Sequence, residues 1–133
     1  MDITSFFNQL DDTARSKDIA QKASEAKSRI ITETAVSFAN KLSELTVPYE
    51  KEFERRGWKC EKRTGNIPYW SLEVRNTTNQ KRVKIAIVNS NAHQYEVATY
   101  SNDDRTNNNI FISDSFDKSQ IEEAIQHLIT YLI

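Results

Sequence analysis

The stretch YWSLEVRNTTNQKRVKIAIV, residues 69–88, decides the architecture. Trp70, Leu72 and Val74 alternate with Tyr69, Ser71, Glu73 and Arg75, and then Val83, Ile85 and Ile87 alternate with Arg82, Lys84, Ala86 and Val88. A period of two sends neighbouring side chains to opposite faces, so both runs read as half-buried strands, apolar inward and polar outward. The connector NTTNQ is short and rich in turn formers, which makes the two strands a hairpin.

The same alternation extends on either side. Trp58, Cys60 and Lys62 form one row before the hairpin, and Tyr95 with Val97 forms another after it. The connectors TGN (64–66), NSNAH (89–93) and SNDDRTNNN (101–109) are polar and short, which favours an antiparallel meander. NIFIS, residues 109–113, reads as a fifth, short strand. The expected sheet region is therefore 57–113.

Before residue 57 the period changes. Ile3, Phe6, Phe7 and Leu10 have the spacing of one face of a short helix, with Asp11 and Asp12 as its stop or the start of the next. From about Asp18 to Glu54 there is no glycine and one proline. The apolar positions Ile19, Ala23, Ala26, Ile30 and then Ile31, Ala35, Phe38, Leu42, Leu45 and Tyr49 step by four and three, a long amphipathic helix whose stripe slips by one at Ile30. Pro48 is expected to break or kink it, and Gly57 to end the helical region 1–56. At the other end Ser119 and Glu122 have capping-box spacing, followed by Ile121, Ala124, Ile125, Leu128, Ile129 and Leu132 on one face of a helix within 117–133.

The expected fold class is α+β: a long N-terminal helix, a four- to five-stranded antiparallel meander sheet, and a C-terminal helix packed on one sheet face, all in one domain spanning 1–133. The packed face would be Trp70, Leu72, Val74, Val83, Ile85, Ile87, Tyr95 and Val97.

Composition excludes several classes of function. The chain has 133 residues, 28% of them charged and 38% hydrophobic, with one cysteine and two glycines. One cysteine forms no internal disulfide and no cysteine-paired zinc site, and two glycines cannot build a Walker loop or a dinucleotide fingerprint. No apolar run approaches the ~20 residues that cross a bilayer, and the first residues lack a signal-peptide pattern, so the expectation is a cytoplasmic protein without membrane contact. No cofactor or metal is called for by any motif.

Charge is polarised along the chain: residues 1–49 carry a net −1, residues 50–84 a net +5, and residues 85–133 a net −5. Lys62, Arg63, Arg75, Lys81, Arg82 and Lys84 fall on the first three strands and the turn between them. Two surfaces follow. In the first, Tyr69, Arg75, Arg82, Lys84 and Tyr100, beside small apolar Ala86, Val88 and Ala98, form an outer sheet face of the composition that binds another protein. In the second, Arg63, Arg75, Lys81, Arg82 and Lys84 neutralise the phosphates of DNA or RNA, with Tyr69 stacking on a base. The overall pI near 6.1 weighs against the second. The alternatives to a contact surface are a solvated face paired with Glu61, Glu73 and Glu96, or cover by the segment Ile3 to Leu10. Ile19 to Ile30 is a further candidate surface, pairing with a second copy as a homodimer.

Catalytic signals are sparse. His93 falls in a turn, and His127 follows Glu123 by four residues on a helix, an exposed pair rather than a metalloprotease motif. Glu73-Val-Arg75, with Glu50, Glu52 and Glu54 upstream, has a distant likeness to a metal-dependent nuclease core but lacks a strand aspartate and the expected lysine. Asp103, Asp104, Asp114 and Asp117 read as turn and cap residues, and Cys60 as a buried small hydrophobe. The leading expectation is a non-catalytic protein-binding module, a small regulatory, inhibitory or accessory protein. The alternatives are a nucleic-acid binder and a nuclease-like enzyme.

Overall fold

The computed structural model describes residues 2–64, 69–91, 94–106, 110–112 and 115–133. It begins with one helix, α1, Ile3–Arg55, which runs through Asp11 and Asp12 and through Pro48. The break expected between a short first helix and a second one does not occur. No glycine or proline interrupts the chain before residue 48, and aspartates on a solvated helix surface stop nothing by themselves. Asp11/Arg15, Asp18/Lys22 and Glu25/Arg29 set an acid four residues ahead of a base three times over, the orientation that supports an isolated helix. The Asp18–Lys22 pair closes at 3.2 Å. Asp2 caps the first turn by accepting from the Ser5 backbone N–H at 2.6 Å, which holds its carboxyl below the ordinary range.

Pro48 costs the helix one backbone hydrogen bond without ending it. The bond lost is the one to the Glu44 carbonyl; one residue earlier, the Ser43 carbonyl accepts from the Thr46 hydroxyl at 3.1 Å and from the Lys62 ammonium at 3.0 Å, which ties this turn of the helix to Lys62. The C-terminus is a Schellman motif: Trp58 N–H donates to Phe53 O and Gly57 N–H to Glu54 O, both at 3.0 Å, with Gly57 at φ +71°.

Strands β1 Lys59–Thr64, β2 Trp70–Arg75, β3 Arg82–Asn91 and β4 Gln94–Ser101 follow as an antiparallel meander. Two short strands, β5 Asp104–Arg105 and β6 Ile110–Phe111, pair with the same free edge of β4 and together occupy the fifth place in an open sheet. The run 101–109 is thus not one loop; Asn102 and Asp103, both at positive φ, make a two-residue turn into β5. Helix α2, Lys118–Ile129, continues as a 3₁₀ turn over Thr130–Leu132. Its N-cap is Asp117, whose carboxylate accepts from the Gln120 N–H at 3.2 Å, rather than Ser119. An ionised carboxylate at the helix start has the advantage of the macrodipole over a hydroxyl further in.

One sheet face packs against the second half of α1 and against α2. Trp70, Leu72, Val74, Val83, Ile85, Ile87 and Val97 are buried with Phe38, Leu42 and Phe53 of α1 and Ile121, Ile125, Leu128 and Leu132 of the C-terminal segment, and Tyr95 packs at the margin. All eight side chains expected on the inner face are there. The first half of α1 touches none of this. Every residue from 2 to 30 is exposed, so the helix leaves the body as an arm extending roughly 40 Å at about 1.5 Å per residue. The segment Ile3 to Leu10 therefore does not cover the sheet.

Candidate functional site

The outer sheet face is organised in cross-strand rows. Lys59, Arg75 and Arg82 stand opposite one another on β1, β2 and β3, and the next row is Glu61, Glu73, Lys84 and Tyr100. Arg63, Ser71, Ala86 and Ala98 make the third row. The alternation read from sequence delivers Arg75, Arg82, Lys84 and Tyr100 to this face, and Tyr69, one residue before β2, is 64% exposed while Trp70 is buried.

Arg82 is positioned by the β4–β5 turn. Its backbone N–H donates to Asn102 Oδ1 at 3.0 Å, its carbonyl accepts from Asn102 N–H at 2.9 Å, and its guanidinium pairs with Asp103. The Lys84 ammonium lies 5.6 Å from the centre of the Tyr100 ring, within cation–π range. These groups, with Glu73, border a shallow depression of about 260 Å³. Arg75 is half-buried, and no ion pair or hydrogen bond engages its guanidinium among the described residues. Lys59 and Arg82 flank it across the strands, and like charges so placed repel until an anion lies between them.

Of the small apolar residues expected on this surface, Ala86 and Ala98 are buried and Val88 is half-buried. Ala98 is 0% and Ala86 5% exposed although the described helices pack on the other side of the sheet. Ala98 lies between Tyr100 and Glu96 on its face, and Arg105, opposite Tyr100, pairs with the buried Glu96, so the arginine stem passes over the alanine. Sequence periodicity gave no sign of this, because the covering residue belongs to a strand two residues long.

Three of the five bases considered for phosphate binding have partners within the chain. Arg63 pairs with its neighbour Glu61 at 3.0 Å, Lys81 donates to the carbonyl of Ile133 at 2.8 Å, and Arg82 holds Asp103. Lys62 points to the other side of the sheet, where its ammonium reaches Glu50 at 3.2 Å. That contact also places Glu50 on the inner side and Glu73 on the outer, with the sheet between the carboxylates of the nuclease-like pattern. Among the described residues no three His, Cys, Asp or Glu side chains gather as a metal site. His127 meets Tyr131, with ring centres 5.4 Å apart, rather than Glu123. His93 and Asp114 lie outside the described residues.

Cys60 is half-buried, and burial first, then Glu50 and Glu54, pushes its thiol up to about 11. Because the thiolate is the reactive form, iodoacetamide should label Cys60 slowly at neutral pH, with the rate rising about tenfold per pH unit until close to the thiol's own pKa. A plateau reached by pH 9 would contradict this environment.

No described helix is long and apolar enough to cross a membrane. Comparison with known proteins supplies no relative: no family model, curated protein or solved structure matches the chain.

Proposed function

We propose that this chain is a non-catalytic protein-binding module acting in the cytoplasm, a small regulatory, inhibitory or accessory protein that holds a partner on its outer sheet face. The observation that carries the reading is that Arg75, Arg82, Lys84 and Tyr100 lie in adjoining rows on the sheet face away from the described helices, with Tyr69 exposed just before β2. Aromatic and arginine side chains anchor interfaces because they bring large contact area at low entropic cost. The partner surface should be acidic where it meets Lys59, Arg75 and Arg82, whose mutual repulsion a carboxylate would relieve.

The triple variant Tyr69→Ala, Arg82→Ala, Tyr100→Ala tests this. Its side chains are outside the core, so the thermal midpoint should stay close to that of the native chain. Affinity capture from the native host should recover a protein with the native chain and lose it with the triple variant. Equal recovery by the two folded proteins would end the proposal.

A further inference from the structure

The exposed arm carries two apolar stripes. Ile3, Phe6, Phe7 and Leu10 form one at the tip, where each is more than half exposed and the two phenylalanine rings meet edge to face at 5.4 Å. Ile19, Ala23, Ala26 and Ile30 form the other, nearer the body, with Ile19 and Ile30 also largely exposed. At about 3.6 residues per turn the two stripes fall on opposite sides of the helix. Charge divides the arm the same way. The tip holds Asp2, Asp11 and Asp12 and no base, while Arg15, Lys17, Lys22, Lys27 and Arg29 outnumber Asp18 and Glu25 in the part behind it.

We propose that the arms of two copies of this chain pair antiparallel, the tip stripe of one lying on the second stripe of the other. When Leu10 is set against Ile19, the same register brings Phe6 onto Ala23 and Ile3 onto Ala26, a large side chain against a small one in both of these steps. The remaining half of that overlap is polar and also matched, since Asp12 meets Lys17 and Asn8 meets Gln21. The acidic tip then runs along the basic stretch, and the two helix dipoles oppose. A parallel pair with level tips would instead stack each aspartate on its own copy. The register fits the exposed length as well. Burial begins at Ile31, so each body starts just beyond the tip of the other arm.

The overlap is roughly 35 Å long. A third of the girth of two such helices is on the order of 900 Å², below the roughly 1,200 Å² at which stable specific interfaces begin, so the pairing is weak and concentration-dependent. Because each contact uses a tip from one arm and the second stripe from another, every pair retains one free stripe of each kind. Association of this heterologous type continues past two copies.

Sedimentation equilibrium provides the test. The average mass of the native chain should rise with concentration beyond two copies. A tip variant, Phe6→Glu with Leu10→Glu, and a second-stripe variant, Ala23→Glu with Ala26→Glu, should each stay monomeric alone and form a 1:1 complex when mixed. A charge-swap pair of the same chain reads the register with little burden on the helix: Asp12→Lys should weaken association about tenfold, and adding Lys17→Asp should restore it. A native chain that stays monomeric at millimolar concentration, a mixture that remains monomeric while both variants keep native helix content, or a swap that restores nothing would each overturn the proposal.

Discussion

Replacing Leu42 with alanine should lower the free energy of unfolding by about 2 to 5 kcal/mol, the range for emptying a fully buried leucine site. Leu42 is 0% exposed and sits in the part of α1 that faces the sheet, between Phe38 and Thr46 on the buried stripe. Its methyl groups fill the space between that helix and the inner strands. A helix fixed by a Schellman motif at one end and by Lys62 beside Pro48 cannot move inward to close the gap. Urea denaturation is the direct measurement, and the midpoint should fall with the slope unchanged, because the surface exposed on unfolding stays the same. Glu44→Ala, two residues on and exposed, is the control and should change stability by less than about 0.5 kcal/mol. A small effect at Leu42 would mean that the helix does not rest on the sheet as described.

The second large effect belongs to a buried polar residue. Asn76 follows β2, is 8% exposed, and donates from Nδ2 to the carbonyl of Leu132 at 2.7 Å while its Oδ1 accepts from the Thr78 N–H at 3.0 Å. Asn79 donates to the same Leu132 carbonyl at 3.0 Å. One side chain therefore shapes the β2–β3 turn and ties it to the last turn of the chain. Asn76→Leu keeps the bulk and removes both contacts, which should cost about 1 to 3 kcal/mol, the penalty for leaving buried partners unsatisfied. Hydrogen exchange distinguishes this from simple loss of packing: protection should fall first at Thr78 and around residues 128–132, not across the inner strands. Uniform loss of protection would assign Asn76 a different role.

The inner face of the sheet was legible from β2, which is buried on one side and partly exposed on the other, so Trp70, Leu72 and Val74 alternate with Ser71, Glu73 and Arg75. The end of α1 was legible for a similarly local reason, the need of a left-handed residue at Gly57. Other features depended on information that periodicity does not carry. Asp11 and Asp12 resembled a helix stop, yet with bases four residues after Asp11 and Asp18 they belong to a charged helical surface. Pro48 resembled a break, yet the helix runs through it, and the turn before it is tied to another element by Lys62, whose ammonium reaches the Ser43 carbonyl and Glu50. On the candidate face, the rows of Arg75, Arg82, Lys84 and Tyr100 followed from strand parity. The closing of Ala98 required Arg105 to reach Glu96 across a pairing that no local pattern announces.

The projecting half of α1 also governs how the molecule moves through water. A body of about 30 Å carrying a rod of comparable or greater length has more friction than a sphere of its mass. A single copy should leave a sizing column early and diffuse slowly, imitating a dimer calibrated against globular standards, and removal of residues 2–30 should abolish that discrepancy.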